Sequence, residues 1–260
     1  MLNVSRHLIA RDRVLALICS RDIQTAFQPI VDLHDGSIIA FEALTRPGAG
    51  TGFPHVGALF HDAAVEGLLW QLEEVTRESS MRAAQSWPEG VRLFFNCTPE
   101  VFADPRFTRA IESAVTGTGR LRPDRIVLEV TELSDQQYVD GLHEQVLRLM
   151  RLGLEIAIDD VGAGTSGLNR IMLLRPQWLK LDHEFIKDID SDGFKQNLVR
   201  FFVHFSRLSC VNVVAEGIET RAELATVASL GVRFAQGYFL ARPASRAQTT
   251  DPNFAQLVRD

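Results

Sequence analysis

Short apolar runs alternate with longer amphipathic stretches along the whole 260-residue chain. Ala26–Leu33 and Ile38–Leu44 read as strands separated only by His34-Asp35-Gly36-Ser37. A parallel connection needs roughly a dozen residues or more, so this short link with its Asp-Gly pair predicts an antiparallel hairpin. The pattern then predicts helices over Ala58–Trp87, Pro105–Val115, Tyr138–Leu152, Leu168–Leu174, Gly193–Leu208 and Ala222–Leu230. Strands are predicted between them over Val91–Asn96, Arg125–Val130, Glu155–Ile158, Trp178–Leu181, Val211–Ala215 and Phe234–Gln236. Their near-continuous apolar runs, such as Ile126-Val127-Leu128, suit strands covered on both faces. With the hairpin they number about eight, and the length is close to the ~250 residues typical of a (β/α)8 barrel. The expected fold is α/β, a modified TIM (β/α)8 barrel with an irregular first strand. A doubly wound open sheet is the alternative.

The whole chain, 1–260, reads as one domain, with a core over roughly 21–248 and a helical lead-in over 1–20. The stripe of Phe194, Leu198, Phe201, Phe205 and Leu208 has near-heptad spacing. It is expected to pack on the barrel, a dimer seam being the alternative.

The 46% hydrophobic and 23% charged composition is that of a globular protein and excludes disorder. A formal net charge of −6 argues against broad electrostatic binding of duplex nucleic acid. Cys19, Cys97 and Cys210 are scattered and form neither a disulfide framework nor a zinc cluster, which suits a reducing, cytoplasmic location. Arg6, Arg11, Asp12 and Arg13 interrupt the apolar N-terminal residues, so neither a signal peptide nor a membrane span is expected there.

In a parallel barrel the active site lies at the carboxyl ends of the strands. Here those ends carry Glu42, Asn96, Glu129, Asp159-Asp160, Lys180, Glu216 and Gln236. Any one of them could simply meet solvent. A set so dominated by carboxylates and amides would repel itself at one mouth unless cations sat among it. Such oxygen-rich clusters suit Mg²⁺ or Mn²⁺, and adjacent Asp159 and Asp160 could bridge two ions for in-line displacement at phosphorus. Glu42, Leu44 and Arg46 share one strand face, which places Arg46 to fork onto a phosphate or to make a rim ion pair. Lys180, one of only three lysines, lies inside an apolar strand and needs a partner, for which Asp182 or a metal-bound hydroxide is available. Glu132 faces away from Glu129 if the strand continues, which suits a loop-anchoring role.

In this order, these residues resemble the EAL family of cyclic di-GMP phosphodiesterases. The resemblance is carried by Phe27-Gln28-Pro29-Ile30-Val31, Glu42-Ala43-Leu44 with Arg46, Asn96-Cys97-Thr98-Pro99 and Glu129-Val130-Thr131-Glu132. It continues through Asp159-Asp160-Val161-Gly162-Ala163-Gly164, Lys180-Leu181-Asp182, Ala215-Glu216-Gly217-Ile218-Glu219-Thr220 and Gln236-Gly237-Tyr238-Phe239.

The resemblance implies a barrel whose first strand is antiparallel, and hydrolysis of cyclic di-GMP to pGpG with two Mg²⁺ or Mn²⁺ ions. It implies that Glu42, Asn96, Glu129, Asp159, Asp160 and Glu216 hold the metals with support from Gln236. Lys180 would orient or help deprotonate the attacking water. Gln28, Leu44, Arg46 and Glu219 would meet the ligand, and Glu132 would anchor the loop after Asp160. Glu216 could be a general base instead. A homodimer is implied by analogy, and a sensor or diguanylate cyclase partner is not identified. Val161, Thr165 and Pro47 stand where the family commonly or often has aromatics, which changes the loop and leaves the metal oxygens intact. The competing readings are a catalytically silent receptor or interaction module of the same fold, and a barrel enzyme with Lys180 as a Schiff-base nucleophile.

Overall fold

Strand order is the feature that positions everything else. The computed structural model describes residues 2–117, 121–130, 139–162 and 167–247. Its strands are β1 (Ile23–Asp32), β2 (Ile38–Pro47), β3 (Arg92–Cys97), β4 (Ile126–Val130), β5 (Glu155–Val161), β6 (Trp178–Leu181), β7 (Asn212–Ala215) and β8 (Phe234–Ala235). They close in chain order into one barrel. β2 to β8 pair in parallel, whereas β1 is antiparallel to both of its neighbours, β2 and β8. The short hairpin link therefore does what its length requires.

The helices are α1 (Leu2–Ser20), α2 (Val56–Val65), α3 (Leu69–Ala84), α4 (Pro99–Ala103), α5 (Pro105–Gly117), α6 (Val139–Arg151), α7 (Gly167–Leu174), α8 (His183–Ile186), α9 (Gly193–Ser209) and α10 (Arg221–Ser229). The single helix expected over Ala58–Trp87 is two, because the chain turns at Gly67, whose φ of 68° lies where glycine is at home. α4 and α8 are too short to leave a periodic signature. Asp182 caps α8, its carboxylate accepting from the Glu184 N–H.

Side-chain alternation divides the strands into an outer and an inner set. Outward residues such as Phe41, Phe95, Leu128, Ile156 and Leu179 pack under the helices. Inward residues, among them Ile30, Phe94, Val127, Trp178, Val214 and Phe234, fill the barrel. Trp178 forms the plug, its ring centroid 5.2 Å from those of both Phe94 and Phe234 and its indole N–H donating to Glu155 at 2.6 Å. Two residues on along the same strand, Lys180 points the same way, into the layer above.

α9 meets the barrel differently from the expectation. Val199, Phe202 and Val203 are its buried residues, while Phe194, Phe201 and Leu208 are 73%, 54% and 74% exposed. Phe202 turns inward against Phe185, which displaces the anticipated stripe by one position around the helix. Among the described residues no helix is long and apolar enough to cross a membrane.

Candidate active site

The predicted strand-end residues meet above the Trp178 plug, around a lysine. Lys180 is 1% exposed, and its Nζ lies 2.8 Å from Glu129, 2.8 Å from Glu216, 3.0 Å from Asp159 and 3.4 Å from Glu42. The expected partner Asp182 is engaged at the α8 cap instead. Burial alone would lower the lysine pKa, but the surrounding carboxylates, Asp159 first, outweigh it and hold the group well above its ordinary value. Burial drives Glu129 and Glu216 well above the usual carboxylate range, with further upward pushes from Glu42 on Glu129 and from Asp159 on Glu216.

Alternation alone would send Asp159 and Asp160 to opposite faces. The β5–β6 register shifts between Ile158 and Val161, and Asp160 adopts a left-handed φ of 50°. Such an irregularity re-aims side chains at a strand end. Asp159, Asp160 and Glu216 consequently bring carboxylate oxygens within 4.8 Å of one another. Burial, then the charges of Asp159 and Asp182, raise Asp160 to about 6. All the donors are hard oxygens, and Glu129 Oε2 is buried without a hydrogen-bond partner, so the residues present fit divalent cations.

An amide chain supports the same centre. Gln236 donates to Glu42 at 2.6 Å and to Gln28 at 3.1 Å; Gln28 donates to the Ala241 carbonyl at 3.0 Å. Asn96 donates to the other Glu42 oxygen at 3.3 Å. Gln28, Asp160, Glu216, Glu219 and Gln236 line one opening of about 440 Å³ with Lys180 at its floor. Leu44 and Arg46 lie apart from it, with Asn96, on a second cavity of about 240 Å³, where Arg46 donates to its neighbour's Thr45 carbonyl at 2.9 Å. Glu132 and Thr165 fall outside the described residues.

Two supporting carboxylates escape a reading of strand ends. Glu223, in the capping box of α10, accepts from the N–H groups of Asp188, Glu219 and Thr220 and so fixes the loop after Glu216. Its capping-box spacing from Thr220 was the available signal. Glu73 of α3 is 3% exposed and accepts from the Thr98 N–H at 3.0 Å, bracing the turn that follows Asn96. Burial lifts its pKa from 4.5 to about 7 against the pull of Thr98 and Arg77. The folded protein thus holds this proton more tightly than the unfolded chain, so the contribution is full below pH 4.5 and is lost as pH rises through 7. Glu73→Gln should flatten that part of the pH–stability curve, removing a decline of about 3 kcal/mol across the interval. Urea denaturation of both proteins at several pH values would show parallel curves if Glu73 were not responsible.

The EAL domain family model matches residues 11–243. The bifunctional diguanylate cyclase/cyclic di-GMP phosphodiesterase MucR of Pseudomonas aeruginosa is 29% identical over 235 residues, which cover 88% of this chain and 34% of that protein. The cyclic di-GMP phosphodiesterase RocR of the same organism is 27% identical, covering 85% of this chain and 57% of RocR. The chain spans 27%, 29% and 34% of three of the curated relatives that it matches, about a third of their length or less. Among solved structures, the MucR phosphodiesterase in complex with c-di-GMP superimposes with a TM-score of 0.80 at 27% identity, covering 92% of this chain and 97% of that one. A manganese/c-di-GMP complex of Klebsiella pneumoniae BlrP1 gives 0.76 at 31% identity, covering 86% and 56%. A barrel with one reversed strand, an acidic mouth around a lysine and a family match from within α1 to the turn after β8 agree on one conclusion: this chain belongs to the EAL domain family.

Proposed function

We propose that this chain is a metal-dependent phosphodiesterase that opens one phosphodiester of cyclic di-GMP to give linear pGpG, lowering a bacterial second messenger. The observation that carries the reading is the Asp159–Asp160–Glu216 oxygen cluster beside the buried Lys180. The named phosphodiesterases among its relatives support it. Glu42, Asn96, Glu129, Asp159, Asp160 and Glu216 are the residues that would hold two Mg²⁺ or Mn²⁺ ions. When bound, such ions supply positive charge to the phosphoryl oxygens and make water more acidic.

The chain's own groups supply orientation. Without metal the surrounding carboxylates hold Lys180 protonated, and as an ammonium it would orient the attacking water by donating a hydrogen bond to it. Gln236 and Asn96 hold the two Glu42 oxygens, fixing the direction in which that carboxylate faces. Glu216 would serve as a metal ligand. Gln28 and Glu219 line the opening that would take the nucleotide, whereas Arg46 and Leu44, on the adjoining cavity beside Asn96, would meet its phosphate and a base from that side, and Glu132 would have the loop-anchoring role that the family resemblance implies. Residues 21–248 would supply the catalytic unit, with 1–20 as its lead-in, working in the cytoplasm.

Incubation with cyclic di-GMP and either Mg²⁺ or Mn²⁺ is expected to release pGpG, read by chromatography. No product with either ion overturns the reading, and tight binding without hydrolysis makes the chain a receptor. The exposed Phe194–Phe201–Leu208 face of α9 supports a homodimer. Phe201→Asp should shift the sedimentation coefficient to that of a 29.0 kDa monomer at micromolar concentration. A native protein already monomeric there contradicts the dimer.

A further inference from the structure

An exposed aromatic stands at the rim of the acidic opening, on a turn with little freedom to move. Tyr238 lines the opening and is 50% exposed, although its neighbours Gly237 and Leu240 are buried. The turn is fixed from several sides. The Leu240 and Ala241 N–H groups donate to the Gly237 carbonyl at 3.1 and 3.0 Å, and the Phe239 N–H donates to Ile218 at 2.9 Å. Gln28 reaches the Ala241 carbonyl, and Ala244 exchanges both backbone hydrogen bonds with Phe27 of β1. Gly237 lies so close to the Ile218 backbone that a Cβ there would collide with it. The same Gln28–Gln236 pair that holds the turn also holds Glu42, so the ring is fixed relative to the acidic centre.

One side of the ring is occupied. The Arg242 guanidinium carbon sits 4.4 Å from the Tyr238 centroid, a cation–π arrangement that orients the ring. Half of the residue remains open to solvent beside the opening. Elsewhere six carboxylates line that opening, together with Gln28, Gln236 and His183, and its lysine is buried at the floor. Carboxylates repel a dinucleotide's phosphates and offer no flat surface for its bases. A fixed aromatic backed by a cation does both missing jobs, since every base has a π-face to stack.

We infer that Tyr238, oriented by Arg242, is a stacking platform for one purine base of the nucleotide substrate and a determinant of its affinity. This rests on the phosphodiesterase reading and adds a residue pair to it. Tyr238 is a binding residue, and Arg242 acts through it by positioning the ring.

The test combines turnover with a binding signal that needs no turnover. Hydrolysis of cyclic di-GMP gives KM and kcat. Binding of an analogue with 2-aminopurine in place of one guanine, in EDTA, reports stacking through quenching of its fluorescence. Tyr238→Ala should raise KM roughly tenfold or more, the loss falling on KM, and should abolish the quenching. Tyr238→Trp should retain both, and Arg242→Met should raise KM less than Tyr238→Ala does. A KM within twofold of the native value together with undiminished quenching in Tyr238→Ala overturns the platform while leaving the phosphodiesterase reading intact. A native protein that quenches the analogue without hydrolysing cyclic di-GMP supports the platform and removes the phosphodiesterase. A native protein that does neither overturns both.

Discussion

Replacing Lys180 with methionine should lower the melting temperature of the metal-free protein by about 10 °C near neutral pH and cut turnover at least a hundredfold. Lys180 is the cation that lets Glu42, Glu129, Asp159 and Glu216 share one buried site. Removing one partner from a buried ionic group typically costs about 3–5 kcal/mol, because the charges left behind are uncompensated. In a chain of this size each kcal/mol corresponds to roughly 2–4 °C. The loss of a preorganised donor aimed at the reacting groups accounts for the fall in rate. Mn²⁺ should restore the melting temperature of Lys180→Met by more than it raises that of the native protein, since the ions replace the missing positive charge. The rate should not recover with it. Calorimetry with and without Mn²⁺ checks the first part and pGpG release the second; a variant that melts within 2 °C of native and turns over normally rules out this account of the site.

Glu42→Ala carries a comparable effect on rate with the opposite effect on the apo fold. Glu42 receives hydrogen bonds from Asn96 and Gln236 and lies within 3.4 Å of Lys180, so it links three elements of the mouth. Several kcal/mol of transition-state stabilisation lost with one metal-facing oxygen corresponds to about a thousandfold or more in turnover. Glu42 also adds to the repulsion that drives up the Glu129 pKa. Removing it relieves that repulsion, so the metal-free variant should melt no lower than native, while the Mn²⁺ concentration needed for half-maximal stabilisation should rise. Retention of a tenth of native turnover would exclude Glu42 from the metal centre.

Much of this was legible in the sequence because it depends on local rules. The four-residue link forces the hairpin, and the tips of β2 to β5, β7 and β8 are each marked by an apolar run ending in an oxygen donor. Lys180 stands out because a lysine within an apolar strand must be paired. Less visible were features set by tertiary contacts or by single dihedral angles. The convergence of Asp159 and Asp160 requires the left-handed turn at Asp160, which nothing in the local pattern announces. Glu73 looks like an ordinary helix-surface glutamate until α3 is laid against the turn after Asn96. The buried face of α9 depends on Phe185 meeting Phe202, a contact that periodicity cannot foresee. Gly67 divides the long helical stretch through its backbone angle, which an otherwise continuous apolar pattern hides.

The reversed β1 also decides where the chain enters. Ile23 pairs with Pro47, at the mouth end of β2, so the polypeptide arriving from α1 joins the barrel on its open side instead of at its base. Arg13 of α1 donates to the Gly52 carbonyl and lies 4.3 Å from the Phe53 centroid, on the loop that follows Arg46. A tug on this helix would therefore reach the loop after Arg46 directly, without having to pass through the packed barrel interior.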